Sequence, residues 1–293
     1  MVLVKDPVQR IIVIVLAMNV AVAIAKGIYG HTSGSLSVAS DAIHSLLDAA
    51  SNVVGIFFLR LAKSPPDPEH PYGHRKIETM AAAFIGFLIA GGALGFGVSA
   101  VEALLHGRRA VEATNSGFVV MAGTLVVNVF VTRYEHRRGK ELGSAYLVAD
   151  AAHTLSDVFV TTAVIVALVL SRLGIALADP IVALGVILVI ARVAWRIIAS
   201  NVGVLLDRAV VDAKHIRATA LGVPGVVGCH RVRSRGVDGA VLVDFHLQVD
   251  GDLPLRDAHA LSHQVEATVK GAYPQVVDVT IHIEPGEDEE EDL

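Results

Sequence analysis

The nine residues SDAIHSLLD (40–48) place two carboxylates and a histidine inside a long apolar stretch, and ADAAHTLSD (149–157) repeats the pattern 109 residues later. Each copy carries Asp, then His three residues on, then Asp four residues after that. Ionisable side chains within a membrane segment are energetically costly and usually mark the path of an ion. The repeated triplet therefore indicates a functional site.

The chain around the triplets has the composition of a membrane protein. Of its 293 residues, 53% are hydrophobic and only 18% are charged, and the mean hydropathy is +0.59. Uncharged runs such as 79–101 and 113–132 are long enough to cross about 30 Å of hydrocarbon as helices. They lack the polar face of a soluble amphipathic helix. We predict six transmembrane helices, over residues 8–30, 34–62, 77–105, 114–135, 143–171 and 177–200.

The distribution of Lys and Arg predicts the orientation of this bundle. Ten of these residues lie at ends and loops on one side, and four lie on the other side, namely Lys26, Arg108, Arg109 and Arg172. Basic loops remain in the cytoplasm, so both termini are predicted to be cytoplasmic. Since the basic residues sit at the membrane edges and no aromatic platform accompanies them, no nucleic-acid partner is expected.

The composition changes after about residue 206. Three Val-rich segments of alternating polarity, 226–235, 240–249 and 276–285, predict strands, and residues 212–222 and 255–273 predict helices. The resulting α-β-β-α-β order predicts an α+β domain of the ferredoxin-like type. We predict a six-helix transmembrane domain (1–206), a cytoplasmic domain (207–286) and an acidic disordered tail (287–293).

Residues four apart on a helix lie on one face, so His44 and Asp48 project together from the second span, and His153 and Asp157 from the fifth. These two spans are antiparallel, and packing at the same depth would bring two imidazoles and two carboxylates to one point. Four N and O ligands in a tetrahedron suit Zn²⁺. The alternative is that these residues form interhelical hydrogen bonds that stabilise the bundle, but the duplication of the spacing favours a metal site.

Asp41 and Asp150 each lie one turn before a triplet histidine, on roughly the same helix face. Two interpretations remain open for them. They support the ligands or serve as staging points in an access path, or else they form structural hydrogen bonds.

The chain resembles the cation diffusion facilitators, which export divalent metals in exchange for protons. The resemblance covers the six spans, both triplets, the loop DPEHPYGHRKIE (67–78) and the C-terminal α+β domain. It implies a homodimeric antiporter, not an enzyme, with His44, Asp48, His153 and Asp157 as transport site and with His153 and Asp157 exchanging Zn²⁺ for protons. Imidazole ligands favour zinc, and Cd²⁺, Co²⁺, Fe²⁺ and Mn²⁺ remain alternatives. The short loop after the fourth span resembles that of members in a bacterial-type plasma (inner) membrane.

The resemblance also implies further sites, in which Zn²⁺ would be a structural or regulatory ion. A cytoplasmic loop site would use Asp67, His70 and His74. A binuclear site in the dimerising soluble domain would use His230, His246, His259, His282 and Glu284, while His263 has no counterpart and is expected on the helix surface. Lys76 and Asp207 match a charge interlock at the dimer centre. The rival functions are a membrane metalloenzyme and a metal sensor that does not transport.

Overall fold

The computed structural model describes residues 6–33, 36–106, 115–172 and 178–286. These residues form a run of long helices followed by a small mixed domain, as predicted. The elements are α1 (Pro7–Ser33), α2 (Leu36–Ala62), α3 (Lys76–His106), α4 (Asn115–Glu141), α5 (Ala145–Arg172), α6 (Ala178–Leu205), α7 (Ala213–Leu221), β1 (Val226–Val237), β2 (Ala240–Val249), α8 (Leu255–Ala272) and β3 (Val276–Pro285).

Helices α1 to α6 correspond to the six predicted spans, and the largest difference is at the end of α4. The prediction ended this helix at residue 135, but it continues to Glu141. The extension is stabilised by Glu141, which accepts hydrogen bonds from Arg137 at 2.9 Å and Arg138 at 2.7 Å. Gly143, with φ of 61°, then allows the turn into α5. The basic segment predicted as a loop is therefore largely helical.

The six helices present apolar side chains on their outer faces. Leu188 and Trp195 of α6, for example, are 72% and 70% exposed. Among the described residues, three segments are long and apolar enough to cross a membrane, Pro7–Tyr29, Lys76–Val98 and Leu184–Leu205. The triplets interrupt the apolar sequence of α2 and α5, and the basic extension does the same for α4. An apolar exterior around a buried core suits a bundle surrounded by lipid.

The side chain of Tyr146 on α5 packs against α2 at a glycine. A Cβ atom at Gly55 would overlap the ring of Tyr146, so only glycine leaves room for this side chain. Tyr146 is buried, and its hydroxyl donates a hydrogen bond of 3.4 Å to the carbonyl of Ser51. The contact holds α2 against α5. It lies near the C-terminal end of α2, which precedes the loop at 63–75, and near the N-terminal end of α5, which follows the turn at 142–144.

The chain divides into two compact units, Met1–Val202 and Gly203–Leu293. In the second unit β2 is central, antiparallel to β1 and parallel to β3. Alternate residues of β2 are buried, from Val241 to Val249, and they join buried residues of α7 and α8 in one core. Cys229 belongs to this core, where burial raises the pKa of its thiol to about 11. The order predicted for this domain is confirmed.

Candidate metal centres

The two triplets meet between α2 and α5. Asp48, His153 and Asp157 each offer a ligand atom, and these atoms lie within 4.8 Å of one another. His153 Nε2 is 3.3 Å from Asp48 Oδ1, and both side chains are about four-fifths buried, with exposures of 18% and 21%. We call these three residues the intramembrane site. The side chains of His44 and Asp41 lie outside the described residues, so the predicted fourth ligand has no described geometry.

The ring of His153 uses only one of its nitrogens. Its Nδ1 is buried and has no hydrogen-bond partner in the described part of the chain. An ionised Asp48 only accepts hydrogen bonds, so its contact with Nε2 favours the tautomer that carries the proton on Nε2. Before Nε2 could ligate a metal ion, this proton would have to leave the ring or move to Nδ1.

Asp150 belongs to a buried chain of amide and carboxyl groups. It is 3% exposed and accepts a hydrogen bond of 2.7 Å from Asn52, whose own carbonyl oxygen accepts one of 2.9 Å from Asn19. The sequence analysis left open whether Asp150 forms a structural hydrogen bond or belongs to an access path for the ion. The structure shows that it does form a hydrogen bond, with Asn52. Asn19 and Asn52 were missed, although a polar residue in an apolar span was the available signal.

Two further buried ionisable groups were also missed as site candidates. Lys26, counted above among the basic residues of one membrane side, is 5% exposed within α1 and donates a hydrogen bond of 2.9 Å to Ser45 of α2. Glu135 of α4 is completely buried. Each interrupts an apolar helix face, which is the pattern by which sequence reasoning could have found them.

The loop residues Asp67, His70 and His74 lie together, as the resemblance implied. Asp67 is 3.2 Å from His70 Nδ1 and 3.4 Å from His74 Nε2. The Nδ1 atom of His74 contacts the carbonyl of Pro65 at 3.2 Å, which directs Nε2 toward Asp67. The backbone N–H of His70, followed by the side-chain hydrogen bond and charge of the histidines, holds the pKa of Asp67 below its usual value. An ionised carboxylate beside two imidazoles can ligate a metal ion.

Strand register assembles the histidines of the soluble domain. His230 on β1 is paired with His246 on β2, and His246 is paired with His282 on β3, so the three lie in one row across the sheet. Glu284 joins them: it is 2.8 Å from His230 Nε2 and 3.6 Å from His282 Nε2, and it contacts His246 Nδ1. His230, His246 and Glu284 form a compact group, while the side chain of His282 is 67% exposed.

The charge state of Glu284 follows from these contacts. Burial raises the pKa of this carboxyl, but the hydrogen bonds and charges of His230 and His246 outweigh burial, and the net pKa lies below the usual value. A depressed folded-state pKa stabilises the domain above the ordinary pKa of the group, and that contribution is lost as the pH falls through the lowered value. Glu284 is thus ionised near neutral pH, the state in which a carboxylate can ligate a metal ion.

His259 does not join this group within one chain. It lies on α8, the helix that packs against the buried face of the sheet. His246 lies on the other face, among the half-buried residues that alternate with the buried ones along β2. Its Nε2 atom is 3.2 Å from Nε2 of His263, which is exposed as expected. The i, i+4 spacing on α8 makes this histidine pair, which the sequence analysis did not propose.

The predicted interlock residues lie in different compact units. Lys76 is the first residue of α3, and Asp207 follows α6 with a left-handed φ of 57°. Their pairing stays a prediction.

Comparison with known proteins covers nearly the whole chain. The family model described as "Cation efflux transmembrane domain" matches residues 12–206, and that described as "Cation efflux protein, cytoplasmic domain" matches residues 210–286. The transporter MJ0449 of Methanocaldococcus jannaschii is 33% identical, over 90% of this chain and 92% of its own length. The cation-efflux pump FieF of Pectobacterium atrosepticum is 32% identical, over 87% and 85%.

The soluble domain also aligns with a solved structure, MamM-CTD 215-293, with 28% identity, 25% of this chain and 91% of that chain covered, and a TM-score of 0.24. The family assignment depends on the sequence matches, which span both units. The chain belongs to the cation efflux family, the cation diffusion facilitators, and is a membrane transporter of divalent metal cations, not an enzyme.

Proposed function

We propose that this protein exports Zn²⁺ from the cytoplasm in exchange for protons, as a homodimer, by alternating access around the intramembrane site. The observation that carries the proposal is the convergence of Asp48, His153 and Asp157 from two helices. Two carboxylates balance the charge of a divalent ion, and an imidazole favours Zn²⁺ over harder cations. His44, on the same face of α2 as Asp48, would complete a tetrahedron.

Proton exchange follows from the chemistry of these ligands. Zinc requires a neutral imidazole and ionised carboxylates, so binding to a protonated site must release protons. An empty site that faces the other compartment can take protons up again, because histidine titrates near neutral pH in water. The two occupants exclude each other, and this exclusion couples their movements. The basic loops favour cytoplasmic termini, and the short loop after the fourth span favours a bacterial-type plasma membrane.

The test is Zn²⁺ flux into sealed vesicles that contain the purified full-length protein, with and without an imposed pH difference. Flux that depends on the protein and on the pH difference is expected. Zinc binding without flux would indicate a sensor that does not transport.

Zinc selectivity has its own test in His153→Asp. The substitution replaces one of the two proposed imidazole ligands with a carboxylate and leaves His44 as the other, so the site is harder, and Mn²⁺ and Fe²⁺ transport should gain about tenfold relative to Zn²⁺. The measurement is competition between Zn²⁺ and Mn²⁺ in vesicle flux. Thr154→Ser, at the neighbouring buried residue of the same helix, is the control and should leave the preference unchanged. An unaltered preference in His153→Asp would mean that the ring does not ligate the transported ion.

We propose that the soluble domain, residues 207–286, dimerises and senses cytoplasmic zinc through His230, His246 and Glu284, with His282 at the exposed edge. Its core is separate from that of the helical unit, so residues 207–293 are expected to fold alone. Metal that binds the dimer better than the monomer must favour the dimer. Zinc should therefore tighten dimerisation about tenfold or more by sedimentation, and His246→Ala should remove the effect. Identical behaviour with and without zinc would contradict the sensor role.

A further inference from the structure

Glu135 presents a buried carboxyl group that the proposed mechanism does not use. It lies on α4 and is 0% exposed, and neither of its side-chain oxygens has a hydrogen-bond partner among the residues that the structure describes. Thr132, one turn earlier on α4, likewise has a buried hydroxyl oxygen without a partner in the described part of the chain. Burying a carboxylate without a compensating partner is strongly unfavourable. The carboxyl group therefore needs either a proton of its own or a positively charged partner.

The carboxyl group of Asp150 faces the same place. Glu135 and Asp150 interact electrostatically, and both act on the buried Tyr146. Ionised carboxylates are acceptors only, so two of them cannot satisfy each other and instead repel. The hydrogen bond from Asn52 reaches one oxygen of Asp150, Oδ2. The remaining oxygens of the pair are satisfied either by a proton that one carboxyl donates to the other or by a cation between them.

This carboxyl pair lies one helical turn from the intramembrane site. Asp150 precedes His153 by three residues on α5, and Asn52 follows Asp48 by four residues on α2, which corresponds to about 5 Å along each antiparallel helix. The displacement on both helices is toward the end of the bundle that carries the turn between α4 and α5. In the predicted orientation this is the cytoplasmic end.

We infer that Glu135 and Asp150 form a second cation-binding position, in which a divalent metal ion rests between the cytoplasm and the intramembrane site. Its available ligands are oxygens, which accept many divalent cations, so the discrimination for zinc is left to the histidine-containing site. Two dications one turn apart would repel, so the positions are occupied in turn and the ion is handed from one to the other. The inference rests on the proposed transport of a divalent cation.

The first test is Glu135→Gln in the full-length protein, in sealed vesicles supplied with Zn²⁺ at the cytoplasmic face. Removing this charge should raise the KM for zinc about tenfold while the maximal rate changes little, because binding before the intramembrane site is weakened. Glu141→Gln is the matched control, the same substitution on the same helix at a surface ion pair, and it should leave the KM unchanged. An unchanged KM in Glu135→Gln would overturn the inference.

The second test counts ions in an Asp157→Ala background, in which the intramembrane site is disabled. Calorimetric titration with Zn²⁺ should show one ion fewer per chain when Glu135→Gln is added. Equal stoichiometry in the two proteins would overturn the inference. If Glu135→Gln fails to fold, Glu135→Asp keeps the charge but shortens the reach, and a KM equal to that of the parent would count against the site.

The outcomes separate this inference from the proposed function. Full zinc flux in Asp157→Ala would refute the intramembrane site itself. An unchanged KM for zinc in Glu135→Gln beside lost flux in Asp157→Ala would overturn only the second position. A Glu135→Gln protein with an altered pH profile and an unaltered KM would show that a proton, not a metal ion, occupies the pair, and would also overturn the inference.

Discussion

Replacing Asp157 with alanine is expected to reduce zinc flux at least about a hundredfold. The substitution leaves Asp48 and His153 as the described ligands and removes one of the two negative charges that compensate Zn²⁺. A buried charge that loses its partner is destabilised by about 3–5 kcal/mol, which corresponds to a loss of at least two orders of magnitude in occupancy. The measurement is the initial rate of zinc uptake into vesicles at a Zn²⁺ concentration below the KM of the unsubstituted protein.

Ser156→Ala is the matched control for this substitution. Ser156 is the preceding residue of α5, is buried, and donates a hydrogen bond of 3.0 Å to the carbonyl of Ala152 on the same helix. Its replacement should change flux less than threefold, since a hydrogen bond of this kind contributes about 1 kcal/mol or less. Flux retained in Asp157→Ala would contradict the assignment of the intramembrane site.

Acidifying the cytoplasmic side is expected to reduce zinc transport steeply, by about tenfold per pH unit for each proton that zinc must displace. Protonation of His153 removes the lone pair that would bind the metal, and protonation of Asp48 or Asp157 removes a compensating charge. Conversely, an inward proton gradient should accelerate zinc export. Flux measured at fixed zinc and varied pH on each side tests both statements.

The proton count can be attributed to a residue. Calorimetry of zinc binding in buffers of different ionisation enthalpy gives the protons released, and His153→Ala should lower that number near neutral pH while also crippling flux. The His246→Ala protein is the control, because it removes a histidine of the soluble domain and leaves α5 intact. Zinc flux that is indifferent to the pH difference, with no proton release on binding, would rule out antiport.

Much of the architecture followed from pattern alone. The apolar runs predicted α1 to α6, and the alternation in 240–249 predicted the central strand with its buried face, because burial imposes a period of two on a strand. The duplicated triplet was enough to predict that Asp48, His153 and Asp157 lie close together, since helical spacing determines which face of the helix each residue occupies. What the pattern did not predict was the end of α4, where ion pairs around Glu141 sustain a helix beyond the apolar segment.

The polar interior was less predictable. The sequence placed Asp150 near the histidine but gave no reason to join it to Asn52 or Glu135, because the rotation of α4 and α2 about their axes depends on packing. Similarly, His259 shares a domain with His246, yet only the tertiary arrangement shows that α8 lies across the buried face of the sheet. Partners that come from different elements are decided by packing, which no local spacing encodes.

The contact of Tyr146 with Gly55 joins the two helices that supply the intramembrane site, at the same distance from a ligand on each helix. Asp48 lies seven residues from Gly55, and His153 lies seven residues from Tyr146, so both ligands are about 10 Å from the contact along their helices. In the alternating access proposed above, a relative tilt of α2 against α5 of about 10° at this contact would move Asp48 and His153 by nearly 2 Å relative to each other, roughly ten times the 0.2 Å tolerance of a metal–ligand bond. A small rocking of the two helices would thus be enough to open the coordination sphere.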